Sequence, residues 1–332
     1  MRMKYLQVAL LLATMWVSPY VTATTLNVDA VNAELASYHY KTATQNAASL
    51  FHANNFKQLD LYLAELPLLT QEAVFDFLCR QTTDLSTMTP ERETFLVKLS
   101  HLQPTYLVKE SIGTYWVTKP VFNYSGSARW ILNRWQIKLL ADEAATQLLY
   151  DNLILSKWMS FGGKDYTLRR AAIVSLIENQ SIEKVQVLKA LFIDDEGMMW
   201  SPDNAVLAAL AVRLQDAKLM HQLWSSKSDN YSLEALEQFD KPELSEFAAQ
   251  MLIDATANST LRSHALEILA GVNPMPDIVR NYLAKELSRR WKGEEIAKLM
   301  IEEGNVALLD DIAAKANAIA QRNVVKAKSL SQ

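Results

Sequence analysis

One phrase is written twice in this chain. Residues 165–176 read DYTLRRAAIVSL and residues 258–269 read NSTLRSHALEIL. Both contain T-L-R-x-x-A-[IL]-x-x-L. Leu168, Ala172 and Leu176 fall four apart, as do Leu261, Ala265 and Leu269. That spacing places each set on one face of a helix. The small alanine in the middle of each stripe lets a second helix approach closely. A face of this kind needs a neighbour to cover it, so the phrase demands helix-on-helix packing in both places. Asp165 and Asn258 open the two copies, where a polar side chain caps a helix.

The rest of the chain fits the same class. Glycine is scarce, 8 in 332 residues, against a usual share of about 7%. Few glycines mean few special turns. Ala, Leu, Glu, Gln and Lys are plentiful, and all are good helix formers. TPERETFLVKLSHL sets Thr89 as a cap with Pro90 at the first helical position. SIEKVQVLKALFI opens on Ser181, and SPDNAVLAALAVRL opens on Ser201 and Pro202 in the same cap-then-proline order. The segment 127–158 reads as two helices with a break near Asp142. NAVLAALAVRL keeps Ala209 and Leu210 of the repeated phrase, and PELSEFAAQML keeps Leu244, Ala248 and Leu252. One region breaks the rhythm. Residues 105–127, TYLVKESIGTYWVTKPVFNYSGS, are rich in Thr, Tyr, Val and Trp and are punctuated by Gly113, Pro120 and Gly126. They read as a β-hairpin or an ordered loop, with two short helices as the alternative.

The pattern resembles the HEAT-like repeat family of α-solenoids over roughly residues 160–290. The residues that carry the resemblance are Asp165, Leu168, Arg169, Ala172 and Leu176, then Asn258, Leu261, Arg262, Ala265 and Leu269. Units of about 30–45 residues would leave room for about two diverged copies between these two. The resemblance implies an all-α fold, an irregular solenoid of stacked antiparallel helix pairs. It also implies a protein-binding scaffold and no particular reaction. An irregular helical bundle is the competing architecture. The expected organisation is a leader at 1–23, a helical region at 24–104, an aromatic-rich region at 105–160, repeats at 161–320 and a basic tail at 321–332.

The N-terminus suggests a compartment. MRMKYLQVALLLATMWVSPYVTA has a basic start in Arg2 and Lys4, an apolar run from Tyr5 to Val17, and a small-residue site at Val21-Thr22-Ala23. That is the grammar of a secretory signal peptide. The run is too short for a bilayer span, which needs about 20 residues. Cleavage near Ala23 and a periplasmic or secreted destination are expected, with no transmembrane segment afterwards. The formal net charge of −4 includes Arg2 and Lys4, so the processed chain is more acidic still. Nucleic-acid binding is disfavoured, because phosphate contacts need a basic surface. Cys79 is the only cysteine. It excludes an internal disulfide and multi-cysteine zinc sites, and its apolar surroundings predict a buried, inert thiol.

No catalytic signature emerges. His39, His52, His101, His221 and His264 form no HExxH and no helix-face pair. The elbow GxSxG is absent. Ser181 in SIEK is a helix cap without the companion motifs of penicillin-recognising enzymes. FGGKDY at 161–166 lacks the phosphate-loop spacing and reads as a turn. The acidic cluster Asp194, Asp195, Glu196 and Asp203 does not follow the calcium-loop pattern and reads as a solvated connector. No cofactor and no metal are expected. The dense aromatics between Tyr115 and Tyr166 are the best binding candidates: Trp116, Tyr124, Trp130, Trp135 and Trp158. Inter-layer core packing is the alternative for them. Arg169 and Arg262 join the candidates as polar helix ends, with a structural role through carboxylates as the alternative. The expected function is an exported, non-catalytic scaffold or assembly factor that binds a protein or peptide in the cell envelope. The alternative is a cell-wall glycan-binding protein or a muramidase-like accessory or enzyme, for which Glu110 is the candidate acid. A third reading is a purely structural spacer in an envelope complex.

Overall fold

The computed structural model describes residues 24–330, apart from Thr83, Phe161, Ser201 and Pro242. The leader at 1–23 and the cap assigned to Ser201 lie outside the described residues. Among the described residues the chain is 72% helical, with 19 α-helices and one small three-stranded sheet. It divides into two compact units, 1–136 and 137–332.

The first unit begins with β1 (Thr24–Thr25). Five helices follow: α1 (Val28–Ala36), α2 (Tyr38–His52), α3 (Phe56–Ala64), α4 (Leu68–Gln81) and α5 (Pro90–His101). The Thr89 hydroxyl accepts from the Arg92 N–H and Pro90 takes the first helical position, as the sequence predicts. Phe51, Leu59, Leu78, Leu96 and Leu99 are fully buried. Phe51 meets Phe56 and Phe95 edge to face, at 5.5 and 5.9 Å between ring centroids. Then come β2 (Tyr106–Ile112), β3 (Tyr115–Pro120) and the long α6 (Tyr124–Leu149). The order β1-β2-β3 leaves β3 at the edge.

Helix α6 does not break near Asp142. Lys138 and Asp142 pair four residues apart at 2.6 Å, so this aspartate supports the helix instead of ending it. The chain turns only beyond Leu149, where Asp151 takes a left-handed φ of 53°.

The second unit continues with α7 (Leu155–Met159), α8 (Tyr166–Asn179), α9 (Ile182–Asp194), α10 (Glu196–Trp200), α11 (Asn204–Leu214), α12 (Ala217–Ser225) and α13 (Asn230–Glu237). It closes with α14 (Glu246–Ala255), α15 (Arg262–Gly271), α16 (Asp277–Leu287), α17 (Gly293–Glu302), α18 (Val306–Lys315) and α19 (Ala318–Leu330). Asp203 caps α11, accepting from the Ala205 and Val206 N–H groups. Packing runs in succession: α11 lies on α12 and α13, α14 on α15 and α16, and α17 on α18 and α19. This is a stack of helix pairs. The repeated phrase supplies two of its faces. Ala172 and Leu176 are buried in α8, and Leu261, Ala265 and Leu269 are buried at α15.

Polar ties cross the layers at a nearly constant interval. The Arg213 guanidinium donates to the Gln180 carbonyl, 33 residues back. Asn258 donates to the Trp224 carbonyl 34 back, Asn305 to Ala270 35 back, and Asn323 to Leu287 36 back. Each acceptor sits at a helix C-terminal end, where carbonyls lack helical partners. The stretch assigned as a basic tail from residue 321 belongs to this stack. Ala320, Val324 and Ala327 are buried along α19, while Lys326 and Lys328 pair outward with Glu294 and Asp310.

Candidate functional site

The aromatic hairpin of the first unit exposes several large side chains. Tyr, Trp, Val and Thr favour its extended backbone. Gly113 makes the turn possible with a φ of 61°, because a two-residue hairpin turn needs a left-handed residue. Register is regular: Leu107 faces Pro120, Lys109 faces Thr118, Ser111 faces Trp116 and Ile112 faces Tyr115.

The base is anchored. Glu72, only 1% exposed, accepts from the Thr105 N–H at 2.7 Å and lies 3.5 Å from the Tyr106 N–H. The Thr24 N–H donates to the Thr105 carbonyl and the Leu26 N–H to the Leu107 carbonyl. A Lys119–Glu110 ion pair joins the two strands near mid-length.

The far part of the hairpin stands in water. Tyr115 is 76% exposed, Trp116 73% and Val117 42%. The Val121 N–H donates to the Tyr106 carbonyl. Alternation from that pair turns the backbone groups of Tyr115, Val117 and Lys119 toward β2. Trp116 and Thr118 therefore point their N–H and C=O groups away from the sheet. Among the described residues no strand covers that edge.

At the hairpin root lies a cavity of about 350 Å³ lined by Cys79, Arg80, Asn123, Gly126, Ser127, Trp130 and Ile131. Trp130 forms a half-exposed wall, with the Arg134 guanidinium 4.7 Å from its ring centroid. The Cys79 thiol is buried and faces the Tyr124 carbonyl at 3.6 Å. Burial, reinforced by the Asp76 charge, pushes its pKa up to about 12, so a thiolate nucleophile is not available there at neutral pH.

The other sequence candidates separate clearly. Tyr124 is a core residue, packed edge-on against Phe75 at 5.2 Å. Burial, then the Glu72 charge, raises its phenol pKa well above the ordinary value. Trp135 is half-buried, and its indole N–H donates to Glu93 at 3.3 Å. A helical stripe explains all three aromatics of α6. Tyr124, Ala128 and Ile131 are buried at spacings of four and three. Trp135 continues that stripe and Trp130 falls off it. The same reading was available in the sequence. Trp158, in the second unit, is 5% exposed, so it is core rather than groove.

Arg169 and Arg262 are bound into the fold. Arg169 donates to the Trp158 carbonyl at 2.9 Å and covers the Trp158 ring at 4.7 Å. Arg262 donates to the Thr256 carbonyl and to Glu286, both at 3.3 Å. In each copy of the repeated phrase the arginine holds the C-terminal end of the preceding helix, where a cation is favoured.

Acidic candidates have structural partners too. Asp195 accepts from the Ser156 and Gly197 N–H groups, each at 2.9 Å. Burial pushes this carboxyl up, but those donors outweigh it and hold it below its ordinary value. Asp195 therefore ties α7 to α10, while Asp194 and Glu196 are exposed as a solvated connector would have them. Glu110 lies on an exposed strand paired with Lys119, without the enclosed setting that raises a general acid. Among the described residues no group of three or more His, Cys, Asp or Glu converges. No described helix is long and apolar enough to cross a membrane. Comparison with protein-family models, curated proteins and solved structures gives no match.

Proposed function

We propose that this chain is an exported helical-repeat protein that binds an extended protein or peptide segment in the cell envelope, as a scaffold or assembly factor. The hairpin is the binding element. The observation that carries the reading is Trp116, 73% exposed on a strand with an open edge. Aromatic anchors dominate protein interfaces, and an open edge accepts an added strand through main-chain hydrogen bonds. Trp130 and the cavity lined by Asn123, which follows β3 by three residues, offer a side-chain pocket in the same unit. The stacked helix pairs and ties at 33–36 residues support a HEAT-like scaffold. Export rests on the basic start, apolar run and small-residue site of residues 1–23, with a periplasmic location after cleavage near Ala23.

The test is crosslinked affinity capture of the tagged protein from its native envelope, read by mass spectrometry. A single near-stoichiometric protein partner is expected. Trp116→Ala removes the anchor and changes stability by less than about 0.5 kcal/mol, as for other exposed sites. Thr118→Pro removes an outward N–H, which an edge strand tolerates. Both variants should lose the partner. Retention of the partner by both sinks the hairpin reading. Capture of wall fragments without a protein transfers the site to a glycan, with Trp130, Asn123 and Arg80 as its contacts.

A further inference from the structure

The turn between α16 and α17 reads Ser288-Arg289-Arg290-Trp291-Lys292. Trp291 is 86% exposed, and no other described large apolar side chain is more so. Both ends of this turn are tied down. The Asn323 amide donates to the Leu287 carbonyl at 2.8 Å and to the Arg289 carbonyl at 3.1 Å. The Arg289 N–H donates to the Glu286 carbonyl, and the Gly293 N–H to the Arg289 carbonyl. Gly293 is buried so tightly that a Cβ there would sit 2.2 Å from both the Asn323 amide and the Leu287 carbonyl. The backbone is anchored at Arg289 and Gly293, on either side of the exposed indole.

The charge around the indole is one-sided. Arg290 stacks over the Trp291 ring at 5.5 Å. Arg290, Lys292 and Arg322 meet no carboxylate among the described residues. Glu286 is satisfied by Arg262 and Arg289, and Glu294 by Lys298 and Lys326. Glu295 is exposed in the first turn of α17 and subtracts one charge. Helix α19 extends the patch. It meets the turn through Asn323 and the Lys326–Glu294 pair, and its outer face carries Arg322 and Val325, the latter 69% exposed. This concentration of cations belongs to a chain whose net charge is −4.

We propose that this turn docks the second unit onto a membrane surface rich in anionic lipid. Trp291 enters the headgroup layer, and Arg290, Lys292 and Arg322 meet lipid phosphates. Tryptophan is favoured at that depth, and long cationic side chains reach the phosphates beside it. Anionic lipid supplies the complementary charge. A tip that presents one indole between two cations without a carboxylate partner among the described residues suits a charged surface. The surface lies in the second unit and does not depend on the hairpin reading.

The experiment is sedimentation of the full chain with vesicles of phosphatidylcholine alone, and of phosphatidylcholine mixed with phosphatidylglycerol. Partition onto the mixed vesicles should exceed that onto the neutral ones at least tenfold, and added salt should erode the difference. Arg290→Glu with Lys292→Glu should cut binding to mixed vesicles by at least about thirtyfold. Trp291→Ala should cut it on the order of tenfold, and Trp291→Tyr should restore most of it. Lys57→Glu with Lys164→Glu makes the same change in net charge in exposed segments outside the patch and should leave the preference intact. Circular dichroism checks that each variant is folded. Equal partition onto both vesicle types overturns the proposal. So does a preference unmoved by the turn variants, or one lost equally in the Lys57/Lys164 pair. Capture of an acidic soluble protein with no vesicle binding overturns it as well.

Discussion

Arg262 provides a sharp test of why the chain repeats its phrase. Its guanidinium reaches the Thr256 carbonyl and Glu286, each at 3.3 Å, and is itself only 19% exposed. The Glu286 side chain is 2% exposed, and its other oxygen meets Arg289 at 3.0 Å. Arg262→Met leaves a buried carboxylate with one half-exposed partner and a helix-end carbonyl with none. Breaking a buried pair costs about 3–5 kcal/mol, and the surviving Arg289 contact puts this case near about 3 kcal/mol. Glu286→Leu should cost about 2 kcal/mol, because the arginines left behind reach water more easily. The double variant removes both desolvated charges and should cost only about 1 kcal/mol. The two single effects are therefore strongly non-additive. Urea unfolding of the full chain and the three variants, followed by circular dichroism, measures the cycle. A loss below about 1 kcal/mol for Arg262→Met, or single effects that simply add, refutes the tie. Arg262 would then be free for a ligand, as the groove reading of the sequence holds.

Further outcomes follow from the same contacts. Asn305→Ala should destabilise the second unit by about 1–2 kcal/mol, the penalty of leaving the Ala270 carbonyl unpaired, visible as a lower urea midpoint. Asp216 is pushed up by burial but held lower overall by Lys189 and by the Leu219 and Lys218 N–H groups. Its folded pKa lies below its unfolded one, so its stabilisation is full above about pH 4 and is lost as pH falls through the folded value. Asp216→Asn should accordingly flatten the acid limb of a stability-versus-pH curve. Glu72→Ala should free the hairpin base, seen as faster amide exchange at Thr105 and Tyr106 with α4 still protected.

Local signals carried much of the fold. The four-residue stripes of 165–176 and 258–269, the Thr89–Pro90 cap and the Gly113 and Pro120 punctuation of the hairpin all depend on near neighbours and mark the elements they suggest, whereas Gly126 falls inside α6. What escaped sequence reading depends on contacts far along the chain. Asn258 reads as a cap, and it does accept from the Thr260 and Leu261 N–H groups. Its second role, donating to Trp224, needs a helix 34 residues away. The same holds for Asn305 and Asn323, so the long-range ties of the stack are made by donors that no local pattern marks. Among the site candidates, Trp116 is exposed because both faces of β3 stand in water from Tyr115 to Lys119, a consequence of what fails to cover the hairpin and not of its own alternation. Trp158 is not, because its burial comes from α8 and α10 closing over a short helix.

The hairpin is where local and global preferences part. A two-stranded element this exposed is marginal alone, and an uncovered edge invites aggregation. The chain moderates both hazards. Glu72 and β1 fix the base, Pro120 removes one outward donor, and Lys109 and Lys119 place charge along the strands. Yet the outward groups of Trp116 and Thr118 stay unblocked, and the largest aromatic of the hairpin stands beside them. Under the strand-addition proposal this edge would offer a short set of donors and acceptors for a backbone, an anchor for one side chain, and a proline that ends the register.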